Sequence, residues 1–495
     1  MLRRLVHVSK DALVYGIAGA LSRFSGLILL PLFTGYFTTD QYGIYQSVTN
    51  LGALLVAITV LGLDGATAIL YFSSEDVAFR KSITTLWVLI TAAFSIPVTL
   101  LLFAGADWLS LLATGSADYG SLFRLGIALL PFSVFLVTAS GILRYTFKAG
   151  TYAALNFGLT VVVVGAIVYF VSVAHMGLEG ALWGTLIGNA LLALVAVWAV
   201  RDAISLGGNF AELRPRALRM LQLGLPLVPA SIALWITNFS NTYFLVHLAG
   251  AGSAGVFRIG AQLAALLSLV IWAFQLAWGP YSLSIAKADD APRTFSRIAT
   301  LFTAGTVGVS VLLSALAPVV LKIFTTKAYA EAGSVIGLLS LAAAASGAYQ
   351  VVAIGTTLAQ RTGPVAWTAI SAAVANVILN LALIPVLGIV GAGVASLAAN
   401  LVSTVLVYVI AQRLYPLPYE PIKIVVIWLA GSVCVAVSGA VNAGVDPSVW
   451  LSFAVAILLL AIFAVVLIVF RIVTPRDFSV ISGAAKRVME RRRSG

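Results

Sequence analysis

The chain alternates long apolar runs with short polar interruptions from one end to the other. Each run is near or above the roughly 20 residues that cross a hydrocarbon core at a rise of 1.5 Å per residue. The runs and their punctuation predict fourteen helices, at approximately 11–35, 42–72, 83–104, 121–147, 152–174, 179–200, 219–248, 255–285, 297–321, 331–358, 363–386, 391–412, 421–441 and 448–471. The expected fold is an all-α polytopic membrane protein of about 14 transmembrane helices. Arg3, Arg4 and Lys10 precede an apolar stretch as they would in a secretory signal, but the run continues through Phe33 and reads as a mature span.

The pattern also repeats. Gly177-Leu-Glu-Gly180-Ala181, followed by Leu186 and Asn189, recurs 211 residues later as Gly388-Ile-Val-Gly391-Ala392, followed by Leu397 and Asn400. Gly43-Ile-Tyr45 recurs 212 residues later as Gly255-Val-Phe257. An offset of six helices, an even number, predicts parallel copies about an axis along the membrane normal. The expected division is an N-lobe at 1–205 (helices 1–6), a cytosolic linker at 206–218, a C-lobe at 219–415 (helices 7–12), helices 13–14 at 416–472 as a hairpin, and a basic tail at 473–495. Gly207-Gly208 and Arg214-Pro215-Arg216 mark the linker.

Composition agrees. Hydrophobic residues make up 61% of the 495 and charged residues 9%, against roughly 25% charged in a soluble domain. A net charge of +12 could suggest nucleic acid, yet the basic residues lie between apolar runs and in the tail. With the N-terminus placed in the cytosol, 24 Lys and Arg fall in inner segments and two, Lys322 and Lys327, in outer loops; Arg23, Arg124 and Arg258 lie inside spans. The positive-inside rule then puts both termini in the cytosol and excludes nucleic acid as a partner. A single cysteine, Cys434, excludes an internal disulfide, and His7, His175 and His247 have no ligand spacing, so neither metal nor cofactor is expected. No Gly-x-x-x-x-Gly-Lys-Ser/Thr loop is present to bind ATP.

Five segments carry a family resemblance: Gln41-Tyr-Gly43-Ile-Tyr45, Gly62-Leu-Asp64, Gly224-Leu-Pro226-Leu-Val-Pro229, Ala277-Trp-Gly-Pro280, and Leu383-Ile-Pro385 with Gly388-Ile-Val-Gly-Ala392. In this order along fourteen spans, the chain resembles the polysaccharide flippase branch, which handles O-antigen among other glycans, of the multidrug, oligosaccharidyl-lipid and polysaccharide exporter superfamily. The resemblance implies a transporter, not an enzyme. Its cargo would be an anionic polyprenyl-pyrophosphate-linked oligosaccharide, carried from the cytosolic to the outer leaflet of a bacterial inner membrane by alternating access. The implied partners are that lipid-linked cargo, membrane lipids and a polysaccharide polymerase complex. Such flippases often carry an acid in the seventh span near Ser240-Asn241; this chain has asparagine.

Arg23 lies about 18 Å into the first span and Asp64 about 12 Å from the inner end of the second. An arginine so deep costs about 2.5–3.5 kcal/mol on insertion scales, so it should face a partner or a watery cavity. Arg23 and Asp64 form either a structural pair or a fork offered to phosphate with Asp64 holding it. Arg258 and Arg124 lie about one turn inside the outer ends of their spans and can snorkel. The resemblance implies that arginines from helices 1, 2 and 8 line the cavity, which favours Arg258; Arg124 reads as structural, and Arg144 and Lys148 as orientation charges. In the seventh span Trp235, Asn238 and Asn241 share a face suited to sugar, or equally to neighbouring helices. Asn376 and Asn380 read as helix-packing glue. The competing readings are a multidrug antiporter, a membrane glycosyltransferase or polymerase, and an assembly scaffold. An antiporter needs a free cavity acid, and an enzyme needs larger outer loops than 105–120.

Overall fold

The computed structural model describes residues 26–205, 210–359, 361, 363–444 and 448–474. All of its regular structure is helical. Twelve helical segments among the described residues are long and apolar enough to cross a membrane, and a shorter apolar helix, α1 (Gly26–Tyr36), precedes them. The twelve are α2 (Thr39–Phe72), α3 (Val77–Ala104), α4 (Gly120–Tyr145), α5 (Ala149–Val173), α6 (Gly177–Ala203), α7 (Leu213–Ala249), α8 (Ala251–Ile285), α9 (Ala291–Ala315), α10 (Lys327–Leu358), α11 (Ala366–Leu414), α12 (Pro421–Asn442) and α13 (Val449–Val469). Most of the expected first span and the tail beyond residue 474 lie outside the described residues.

α11 covers two of the expected spans. Its 49 residues would measure about 74 Å if straight, more than twice a hydrocarbon core. A break falls at Gly388 (φ 55°, ψ −131°), between the two helices expected at 363–386 and 391–412. The repeat-related Gly177 also has φ 55°, a left-handed conformation that glycine adopts without Cβ strain. Three residues on, a Cβ on Gly180 would sit 2.8 Å from Phe170 O, and one on Gly391 2.5 Å from Leu383 O. Each copy of the Gly-x-x-Gly sequence therefore encodes a left-handed turn followed by close backbone approach.

The motif opening α2 resolves into separate physical tasks. Thr38 and Gln41 form a reciprocal capping box, Gln41 N–H donating to Thr38 Oγ1 (3.2 Å) and Thr38 N–H to Gln41 Oε1 (3.0 Å). Buried Tyr42 donates to Gln262 Oε1 at 3.1 Å. Gly43 lets the start of α8 press in: a Cβ there would lie 2.0 Å from Ala251 O, and one on Gly255 would lie 2.1 Å from Thr39 O. Sequence periodicity reads α2 as continuous, but it breaks between Thr59 and Leu63, where Leu61 (φ 54°) and Gly62 (φ 64°) are both left-handed. Gly62 faces Gly224 there, with a Cβ on either clashing against the other's backbone or its neighbour's.

The chain forms two compact units. The first takes its described residues from Met1–Leu263, Leu321–Val335 and Ala366–Val402. A core around the fully buried Trp87 joins Leu63, Ile83, Leu136, Ile142, Leu192, Val200 and Met220; Gly141 makes room for the indole, since a Cβ there would lie 2.2 Å from its Cη2. The helix leading into α7 starts at Phe210, ahead of the expected 219. Its sequence is rich in good helix formers, and Leu213, Ala217, Met220 and Leu221 pack on this core at the spacing of one helical face.

The second unit takes its described residues from Ala264–Val320, Ile336–Val365 and Ser403–Gly495. Its core is aromatic: Phe274 lies 4.3 Å from Phe302 and 5.7 Å from Trp278, centroid to centroid, and Phe295 meets Trp278 edge-on at 5.7 Å. Ser296, Thr300, Thr303, Thr306 and Ser310 of α9 are buried, and the last four each donate to the carbonyl four residues back. Ser296 reaches Pro418 O (2.7 Å), which together with Gln412 bonding both N and O of Leu417 fixes the connection to α12.

The close crossing at Gly43 predicts that Gly43→Ala lowers the stability of the purified chain by about 1–3 kcal/mol, the usual cost of overpacking. Gly35→Ala, where a Cβ meets nothing within 4 Å, serves as control. Thermal unfolding in detergent would show the midpoint falling for the first and holding for the second.

Candidate functional site

The polar residues of the first unit gather along α7. Tyr243 donates to Ser47 O (2.8 Å) and Trp235 Nε1 to Asn50 O (2.9 Å), while Asn50 Nδ2 donates to Thr242 Oγ1 (2.9 Å). α7 is thus tied to α2 through three successive polar contacts, each satisfying a group that lipid could not.

The opposite flank of α7 meets α11. Ser240 Oγ donates to Asn376 Oδ1 (3.0 Å), Asn380 Nδ2 to Asn241 Oδ1 (2.6 Å) and Asn376 Oδ1 (2.9 Å), and Asn241 Nδ2 to Ser396 Oγ (2.7 Å). All five side chains are buried. Asn376 Nδ2 and Asn380 Oδ1 find no partner among the described residues. The Asn241 amide is engaged at both ends by helix-to-helix bonds in this conformation, and the Trp235 indole N–H is likewise committed. Asn238 differs: its amide donates only to Leu234 O of its own helix (2.7 Å) and is exposed.

The charged candidates fall into distinct settings. Arg23 lies outside the described residues. Asp64 accepts from Arg144 Nη2 at 3.2 and 3.4 Å and from the Tyr145 hydroxyl at 2.7 Å, the same hydroxyl reaching Asp64 O at 2.9 Å. Asp64 and Arg144 are each 44% exposed. Arg144, read from sequence as an orientation charge, thus holds the acid, across 80 residues of chain. Arg124 pairs with Asp107 at 2.5 Å on an exposed face.

Arg258 stands apart. Its Nε is buried and has no hydrogen-bond partner among the described residues, and its Cζ lies 6.0 Å from the Phe239 ring centroid. No carboxylate pairs with it among the described residues. A partly buried guanidinium beside an aromatic face keeps a donor, its Nε–H, without an acceptor among the described residues.

Comparisons with known proteins follow the same line. The family model described as "Polysaccharide biosynthesis protein" matches residues 8–286, more than half of the chain. A Haemophilus influenzae protein described as Lsg locus putative protein 1 is 23% identical over 287 residues, covering 57% of this chain and 67% of that one. Among solved structures, the lipid II flippase MurJ in an inward closed conformation superposes with a TM-score of 0.73 at 14% identity, covering 93% of this chain and 99% of that one. A mutant form of the Vibrio cholerae MATE transporter VcmN gives 0.56 at 14% identity, covering 82% and 98%. The resemblance read from the ordered motifs is borne out, and the fold is that of MurJ and the MATE transporters.

The amide contacts predict unequal effects along α7 and α11. Asn380→Leu leaves the buried Asn241 Oδ1 without its donor, while Asn376 Oδ1 keeps Ser240, and should cost about 1–3 kcal/mol. Asn238→Ala should shift stability by less than about 0.5 kcal/mol. Melting of the purified variants, monitored side by side, distinguishes them.

Proposed function

The chain belongs to the polysaccharide biosynthesis protein family, a multi-pass membrane protein of transporter fold, and from that premise we propose that it flips a polyprenyl-pyrophosphate-linked oligosaccharide from the cytosolic to the outer leaflet of a bacterial inner membrane. Family membership and a flippase-like fold over nearly the whole chain support the reading. The observation that carries it is Arg258, a cation within a span whose buried Nε has no acceptor and which has no carboxylate partner among the described residues. An anionic lipid pyrophosphate supplies the missing charge; a cationic drug would not. Asp64, the acid an antiporter would need free, is held by Arg144 and Tyr145.

In this reading the chain has fourteen spans with both termini cytosolic, and the repeat-related lobes at 1–205 and 219–415, joined through 206–218, rock about one another while the hairpin at 416–472 accompanies them. Arg23 joins Arg258 in binding the phosphates, and Asp64 keeps the neighbouring arginines in place. Asn238 faces the sugars, and Trp235 and Asn241 reach them only in a conformation that releases their present partners.

Two outcomes are expected. Arg258→Ala, and Arg23→Ala separately, lower translocation of the lipid-linked glycan by at least about tenfold, the worth of a charge-assisted hydrogen bond, with abundance in the membrane unchanged. Arg258→Lys recovers only part of the rate, because an ammonium lacks the bidentate fork. Abundance falling in step with activity would assign these arginines to the fold instead.

The second outcome concerns direction. An inside-negative potential drives an anion outward with about 2.3 kcal/mol per charge per 100 mV, enough for more than about a tenfold bias. Reconstituted vesicles with an imposed potassium-diffusion potential, at equal pH and sodium on both sides, should flip faster when the potential is inside-negative. Flipping that ignored the potential and followed a pH or sodium gradient would overturn this mechanism.

A further inference from the structure

The turn joining α4 to α5 ends its helix in an unusual way. Lys148 N–H donates to Leu143 O (2.9 Å) and Phe147 N–H to Arg144 O (3.1 Å), the paired bonds of a Schellman cap. The residue between helix and exit in such a cap must be left-handed, and glycine ordinarily fills it. Here it is Phe147, at φ 55°. Among the described residues Leu61 is the other apolar one that is left-handed, and it is buried, whereas Phe147 is 66% exposed. Neither the turn nor the core calls for this ring.

Phe147 is not alone. Its centroid lies 6.2 Å from that of Phe72, which is 52% exposed at the end of α2. Phe72 in turn meets Tyr145 edge-on at 5.9 Å, and Tyr145 is held by its hydroxyl on Asp64 (2.7 Å) and backed by Trp87, stacked at 5.9 Å. The Arg144 guanidinium bonds Asp64 and lies 5.9 Å from the Tyr145 ring centroid. Two open apolar rings are therefore joined, through Tyr145, to a half-exposed carboxylate and guanidinium. Phe72, Arg144, Tyr145 and Phe147 lie at the end of α2, at the end of α4 and in the turn after it, the side that the charge pattern assigns to the cytosol, with Asp64 about two helical turns deeper.

A sugar ring has the matching chemistry: apolar C–H faces that lie on aromatic rings, and hydroxyls that bond carboxylate and guanidinium at its edge. Interfacial anchoring to lipid uses Trp and Tyr, whose polar tips reach water; two phenylalanines lack them. We propose that Phe147 and Phe72, with the Asp64–Arg144 pair at their edge, form a docking shelf for a sugar ring of the cargo where it first meets the protein. This rests on the flippase reading above and gives that cargo a recognition site for its glycan separate from Arg258.

Phe147→Gly tests it without endangering the fold, since it removes the ring and relaxes the backbone together; Phe147→Tyr keeps the ring. The probes are the lipid pyrophosphate extracted from cells lacking this chain, with its glycan intact, and the same lipid stripped of its glycan. Binding is measured to the full chain in nanodiscs. The expected result is that wild type binds the intact lipid more tightly than the stripped one. Phe147→Gly should lose about tenfold for the intact lipid alone, with an unchanged or higher melting point, and Phe147→Tyr should behave as wild type. Equal binding of both lipids by wild type, unaltered binding by Phe147→Gly, or an equal loss for both lipids, which would mean that the rings hold lipid chain, overturns the shelf while leaving the flippase reading intact. A wild type that binds neither lipid overturns both.

Discussion

Inside a bilayer a polar group finds no water, so each must be satisfied within the protein, and the internal arrangement of this chain follows from that constraint. On α9 the solution is local, with Thr300, Thr303, Thr306 and Ser310 each donating back along the helix. Around α7 it is tertiary: Asn50 bonds Thr242 on one flank, while Ser240, Asn241, Asn376, Asn380 and Ser396 bond one another on the other, across three helices. The second solution specifies which helices lie together, because a hydrogen bond has a direction that apolar packing among lipid-like side chains lacks.

Charge obeys the same rule with higher stakes. Arg124 and Arg144 have carboxylates within reach, and each pair is half open to its surroundings, where such a pair contributes little to stability. Arg258 has neither a carboxylate nor, for its Nε, a hydrogen bond among the described residues. That contrast sets Arg258 apart from Arg124 and Arg144, and it depends on positions that sequence does not reveal.

What sequence could reveal was set by the range of the underlying forces. The spans were legible because bilayer thickness imposes a run length on every one of them. The turn at Gly388 was legible because a left-handed residue followed by close approach leaves two glycines at a fixed spacing, repeated at Gly177 and Gly180. The break in α2 was not, since Leu61 at φ 54° has no compositional signature, and Gly62 alone reads as ordinary membrane glycine. The α7 helix began early because the linker residues carry a helical face, a signal present in Leu213, Ala217, Met220 and Leu221 but masked by Arg214-Pro215-Arg216. Asp64 stood out in the sequence as an acid within a span; its partner Arg144 did not, because nothing local ties residues 80 positions apart.

The amide cluster between α7 and α11 has one more property. Ser240, Asn241, Asn376, Asn380 and Ser396 are all neutral, so making or breaking these bonds of itself shifts only dipoles. It moves no gating charge, and the membrane field, worth about 2.3 kcal/mol for each elementary charge carried across 100 mV, performs no net work on it. A contact of this kind holds two helices equally well in an energised and a de-energised membrane.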